Sequence, residues 1–230
     1  IAGTVYSIEH QDVVRQISAG RTTADILGQL VPGLAPASGT SSNYGMSMRG
    51  RTVHIMLDGV PLTGSRDGSR PLNSIAPTMI ERIEVISGAT SIYGSGAAGG
   101  IINIITRNAE DERQAFSSEF GLTSPNKATS SGMAWSGTQT ASVYQDNLNG
   151  FAGLSYTKRG DIRDSHGDRI GPEIAQTDRQ DTTSIDFNSR LNGYIDDNQQ
   201  LSAGFRYYDD QQDSDYGPDY GPGLAALFTP

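Results

Sequence analysis

Two arginines flank a short polar run, Ser65-Arg66-Asp67-Gly68-Ser69-Arg70. A guanidinium presents a planar fork of donors that matches a carboxylate, so an exposed loop carrying Ser65, Arg66 and Arg70 suits an anionic, oxygen-rich ligand. The same run also reads as an ordinary solvated turn. Tyr44, between Asn43 and Gly45 in a small polar loop at 35–45, adds a hydroxyl for hydrogen bonding. Near the other end of the chain Arg206 and Tyr208 occupy alternate positions of a strand-like run, so a cation and a phenol face the same way.

Other chemistries find less support. His10, His54 and His166 share no metal-ligand spacing, and the chain has no Cys, which removes thiolate metal sites and a Cys nucleophile. Asp209, Asp210, Asp213 and Asp215 lack the EF-hand spacing and its closing Glu, and read as a solvated loop. Gly94-Ser95-Gly96-Ala97-Ala98-Gly99 fits the letters of a dinucleotide fingerprint. That fingerprint needs a helix after it, whose amino end meets the pyrophosphate. Here Ile101–Thr106 (IINIIT) follows, a β-branched run fit for a buried strand. The glycines therefore read as a tight turn pressed against neighbouring strands. Ser87-Gly88 lacks the frame of a nucleophile elbow. No catalytic constellation is legible, and the chain is not read as an enzyme.

The elements that must position these groups change character near residue 110. Residues 1–110 carry 8 Arg against 8 acidic residues, and 111–230 carry 9 Arg+Lys against 18. No basic surface marks a nucleic-acid partner. In the first part, Thr4–Ile8 is a short β-rich run, and His10–Ile17 reads as a turn or two of helix. Thr22–Leu30 reads as a helix that Thr22 or Thr23 caps and Pro32-Gly33 ends. Thr52–Leu57 reads as a strand closed by the turn dipeptide Asp58-Gly59. A loop follows at Thr63–Pro71, then a turn or short helix at Asn73–Ile80. Arg82–Ile86 alternates, with Ile83 and Val85 on one side and Arg82 and Glu84 on the other.

After 110 the alternation becomes regular. Phe116, Ser118, Phe120 and Leu122 share a face. So do Ile185, Phe187, Leu191 and Ile195, and Leu201, Ala203, Phe205 and Tyr207. No run approaches the ~20 apolar residues of a spanning helix. A spanning strand needs only about 10 residues with every second one apolar. The same dyads also suit any antiparallel sheet with one dry face. Asn147–Gly150 and Asp196–Gln200 are tight turns, whereas 159–181 is long and charged. Short turns at one end and long loops at the other are the asymmetry of an outer-membrane barrel. Four or five such strands cannot close, and an open edge is not tolerated in hydrocarbon. A larger protein is expected, with this chain as one part of it.

Six pieces, in order, resemble the plug of TonB-dependent receptors: Asp25–Gly33, Met48-Arg49-Gly50, Ile55–Pro61, Ile80–Val85, Ser91–Gly94 and Ala98–Thr106. Ser65–Ser69, Arg70 through Ile75 and Ser87–Tyr93 look most like ferric aerobactin receptors, which take up citrate-hydroxamate siderophores. The resemblance implies an α+β plug domain at 1–110, a small mixed sheet with short helices. Antiparallel strands of a truncated transmembrane β-barrel follow at 111–230. It implies TonB-dependent uptake at the outer membrane of a Gram-negative bacterium. Iron arrives already wrapped in its siderophore, with no directly bound metal or cofactor. Partners are the ferric siderophore and TonB, whose gripping segment would precede Ile1. On this reading Ser65, Arg66, Arg70, Tyr44 and Tyr208 contact the ligand, and Arg49, Arg82 and Glu84 hold plug to barrel. The chain departs from many relatives in having Ser87-Gly88-Ala89 where they carry Arg-Gly-Pro. A soluble β-rich binding module is the alternative, as is a receptor of the same family for heme, cobalamin or another siderophore.

Overall fold

β-Branched and small residues dominate the first hundred positions, and in the computed structural model they assemble a mixed sheet. The structure describes residues 4–18, 20–39, 43, 45–62, 70–88, 97–108, 114–124, 130–170, 179–196, 199–214, 217–219 and 227–229. The chain divides into two units, Ile1–Arg107 and Asn108–Pro230.

The first unit opens with strand β1 (Thr4–Glu9) and helices α1 (His10–Ile17) and α2 (Thr23–Leu30). Strands β2 (Val53–Leu57), β3 (Val60–Pro61), β4 (Ile80–Ser87) and β5 (Gly100–Thr106) complete a sheet in the order β1-β4-β5-β2-β3. Among the described residues β2 and β5 pair in parallel and the other pairs are antiparallel. Thr22 caps α2 in a capping box: its hydroxyl accepts from the Asp25 amide, and the Asp25 carboxylate accepts from the Thr22 amide. The apolar side of α2, with Ile26 and Leu27, packs on Ile83, Val85, Ile102 and Ile104, all fully buried. Burying each such side chain contributes about 1.5–3 kcal/mol.

Asp58-Gly59 joins β2 to β3 with both residues at positive φ, 51° and 80°, as a two-residue hairpin turn requires. The Asp58 carboxylate then accepts from the amide and hydroxyl of Thr106, at 2.9 and 2.7 Å, clamping the end of β5. Of the glycine run, Gly94 and Gly96 lie outside the described residues, whereas Gly99 and the following Gly100 press against neighbouring strands. A Cβ on Gly100, at φ 141°, would meet the Ile86 carbonyl at 2.4 Å, and one on Gly99 would meet three carbonyl oxygens. A strand follows them, not a helix, which removes the dinucleotide reading. Arg70 departs from the expected loop: its backbone starts a short 3-10 helix, Arg70–Ser74. Proline at the next position fixes φ in the helical range and favours that start.

The second unit is an antiparallel meander. Strands β6 (Gln114–Thr123), β7 (Ala134–Gln145), β8 (Leu148–Arg159), β9 (Thr182–Asp196) and β10 (Gln199–Gln212) pair in sequence order. Among the described residues this sheet is open. A further short pair, β11 (Gly217–Asp219) and β12 (Leu227–Thr229), follows it. The turns between β7 and β8 and between β9 and β10 lie at one end of the sheet. The long connection from Arg159 to Thr182 lies at the other.

Its two faces invert the usual arrangement. Phe116, Phe120, Leu201 and Phe205 are 76, 72, 67 and 61% exposed, and Leu154, Leu191 and Ile195 are exposed with them. The opposite face carries Thr138, Thr140, Ser155, Ser184, Asp186, Asn188 and Asn192, all buried. A water-soluble sheet does the reverse. The acids expected in a solvated loop divide otherwise: Asp209 and Asp210 belong to β10 and project to opposite faces, Asp213 follows the strand, and Asp215 lies outside the described residues.

Candidate functional site

β10 runs from the short-turn end to the long-loop end, and so carries Tyr208 toward the charged connection. Along the polar face, register sets Ser155, Asp186 and Tyr208 in one row and Thr157, Ser184 and Asp210 in the next. Arg159, Thr182 and Gln212 form the last row. Arg206 Nε lies 3.3 Å from the Asp186 carboxylate, and its guanidinium sits 5.9 Å from the Tyr208 ring centroid. That distance is within cation–π range. Asp210 interacts with the Tyr208 hydroxyl, and Arg159 is near enough to act on both electrostatically. Arg159 donates to the hydroxyls of Thr182 and Ser184, each at 3.4 Å.

Beyond these rows the described part of the long connection at 160–170 turns back on itself. Ile170 N donates to the Ile162 carbonyl at 2.8 Å and Asp164 N to the Asp168 carbonyl at 2.9 Å, making a small hairpin. The Asp164 carboxylate accepts from the amides of His166, Gly167 and Asp168, which hold its carboxyl below the usual carboxylate range. Arg163 pairs with the buried Asp161 at 2.5 Å, and Arg169 with Asp181 at 2.8 Å. Arg169 and Asp181 also reach the Ser214 hydroxyl beyond β10. The connection is thus tied to the strand ends.

In the first unit the expected contact residues form a different arrangement. Arg82 pairs with Glu84 on its own strand at 2.9 Å, and Glu84 accepts from Asn103 on β5 at 3.1 Å. Asn103 in turn accepts from the Gly59 amide at 3.0 Å. Arg49 adopts a positive φ of 53° and donates its amide to the Gly33 carbonyl at 2.7 Å. Its guanidinium opposes the effect of burial, which pushes the Tyr6 phenol up. Tyr44, Ser65 and Arg66 lie outside the described residues, as does the side chain of Arg70. Of the expected ligand residues, the structure therefore places the side chain of Tyr208.

Sequence reading missed Arg159, Asp186 and Asp210 as its neighbours. Alternation alone puts Arg206, Tyr208 and Asp210 on one side of β10. Their meeting with Arg159 depends on the register of three strands. Among the described residues no group of three or more His, Asp or Glu is placed to hold a metal ion. An open apolar groove lies on the apolar side of the sheet, between Phe116 and Phe205 over Ala141, Gly150 and Ala152. Its apolar lining makes it unlike a site for an anionic chelate.

Residues 1–101 match the model of the TonB-dependent Receptor Plug Domain. The first unit of the chain is thus a TonB-dependent receptor plug domain. It is 35% identical to the rhizobactin receptor of Rhizobium meliloti (strain 1021), over 100% of this chain and 31% of that protein. It is 36% identical to the ferric aerobactin receptor of Klebsiella pneumoniae, over 99% of this chain and 31% of that protein. Among solved structures, the siderophore receptor PirA from Acinetobacter baumannii superposes with a TM-score of 0.66 at 25% identity, covering 90% of this chain and 31% of that one. The chain thus spans 31% of the length of the two receptors it matches. These relatives are receptors, not enzymes, and the plug-then-strands order of this chain is the fold they share with it.

Proposed function

We propose that the chain is the plug, at 1–110, and the first wall strands, at 111–230, of an outer-membrane receptor for TonB-dependent uptake of a ferric siderophore. Its ligand is a citrate-hydroxamate chelate of the aerobactin kind. The observation that carries this reading is the continuous match, through both units, to rhizobactin and ferric aerobactin receptors at 35–36% identity. The exposed apolar face of β6–β10 supports a wall set in lipid, because strands can span hydrocarbon only with apolar residues outward.

Iron is cargo here and arrives chelated. Ser65, Arg66, Arg70 and Tyr44 on the plug, with Tyr208 on the wall, contact the chelate's carboxylates and oxygens. Arg49, Arg82 and Glu84 form the polar contact between plug and barrel. TonB engages the plug from the periplasm of a Gram-negative cell.

The test is binding of ferric aerobactin to the full-length receptor, in competition with hemin, cobalamin and a ferric tricatecholate. Selective binding of ferric aerobactin, weakened about tenfold or more by combined Arg66→Ala and Arg70→Ala, is the expected result. Equal binding by the double variant removes the plug-loop assignment. Preference for a competitor removes the ligand.

A further inference from the structure

Three arginines at the long-loop end of the sheet have carboxylate partners: Arg163 with Asp161, Arg169 with Asp181 and Arg206 with Asp186. Arg159 differs. It is half-buried at the end of β8 on the polar face, and among the described residues its hydrogen bonds are two long ones to neutral hydroxyls, Thr182 and Ser184. Among the described residues it makes no ion pair. Asp210, two strands away on β10, acts on Arg159 electrostatically without an ion pair, and also interacts with the Tyr208 hydroxyl and with Arg179.

We propose that Arg159 is a carboxylate-reading position of the wall, with Asp210 as the distant counter-charge that an incoming ligand carboxylate replaces. A guanidinium holds five donors in a fixed fork, and two weak bonds to hydroxyls leave most of that capacity for a ligand. A chelate carboxylate supplies two parallel charge-assisted bonds where Asp210 supplies only attraction across a gap. Thr182, Ser184 and Tyr208 border the position with hydroxyls, which suit the remaining oxygens of a hydroxy-carboxylate. Asp210 sets selectivity, because it repels an anion until that anion comes close enough to pair with Arg159.

This assignment rests on the reading of the chain as a receptor for a carboxylate-bearing ferric chelate. The experiment measures binding of ferric aerobactin, and of a ferric trihydroxamate without a carboxylate, to the full-length receptor in detergent. R159Q weakens ferric aerobactin binding about tenfold, R159K falls between it and the parent, and D210N tightens binding about threefold. Binding of the trihydroxamate stays unchanged in all three variants. A purely structural role for the pair predicts that D210N weakens binding of both chelates. Unchanged binding by R159Q, or weakened binding by D210N, overturns the proposal. If R159Q does not reach the membrane, D210N alone decides. A parent receptor that binds the trihydroxamate but not ferric aerobactin refutes the ligand reading, and this inference with it.

Discussion

The two units apply the same alternation to opposite surroundings. In β4 and β5, Ile83, Val85, Ile102 and Ile104 are buried to within 0% exposure and the helices cover them. In β6, β9 and β10, Phe116, Ile195 and Leu201 project outward at 76, 71 and 67%, while Asp186 and Asn188 are buried behind them. Period-two patterning fixes which residues share a face. It does not say which face meets water. Side-chain size and the connections give that second answer: short turns at one end, a charged hairpin at the other, and a strand length near a membrane's thickness.

The widest separation between the units comes from placing a charge on each apolar face. Ile83→Asp buries a carboxylate in the plug core without a partner and costs at least about 4 kcal/mol, enough to abolish protease resistance of that unit. Leu191→Arg puts a cation on the exposed face and costs about 2–4 kcal/mol of assembly in a bilayer, read as loss of heat-resistant receptor on gels. The same change in a soluble sheet leaves stability within about 0.5 kcal/mol, so an indifferent full-length receptor breaks the contrast. Glycine sharpens it. Gly100→Ala must relieve a 2.4 Å contact at φ 141° and costs about 3 kcal/mol in chemical denaturation. Gly193→Ala on β9 meets nothing within 4 Å and leaves assembly unchanged. A smaller effect separates local from tertiary stabilisation: Thr22→Ala removes the α2 cap and costs about 1 kcal/mol.

The smallest effect concerns pH. The folded carboxyl of Asp164 titrates below its unfolded value, so the hairpin's support is complete above the unfolded pKa, about 3.9. It is lost as pH falls through the lower, folded value. Amide exchange at His166, Gly167 and Asp168 stays slow from neutral pH to about 4 and speeds up only below it, after correction for intrinsic rates. Loss of protection beginning near pH 6 contradicts the arrangement.

Much of the first unit was legible because its signals are local. The Thr22 cap, the Asp58-Gly59 turn and the Ile83/Val85 alternation each act within a few residues. β9 and β10 were legible through their large apolar side chains. β7 was not, because between Trp135 and Val143 its outer face carries Gly137, Gln139 and Ala141, which interrupt the apolar period. The site divides likewise. A common face for Arg206 and Tyr208 follows from the spacing of two residues. The approach of Arg159 to Tyr208 spans β8, β9 and β10 and needs the register that only pairing supplies. Arg70 was misplaced because the loop composition around it outweighed the helix-starting Pro71.

The pairing of β1 with β4 has a mechanical consequence. Thr4 lies opposite Ser87 and Glu9 opposite Arg82, while the unit's exit at Arg107 lies beside Ile80, at the far end of the same strands. A force that draws Thr4 away from Arg107 along the strand axis therefore loads the β1–β4 ladder in shear. Its six residue pairs resist together instead of opening one after another. A sideways force on Thr4 would peel the same ladder from one end with far less resistance. The first unit is thus built with a strong axis and a weak one, and the direction of pulling selects between them.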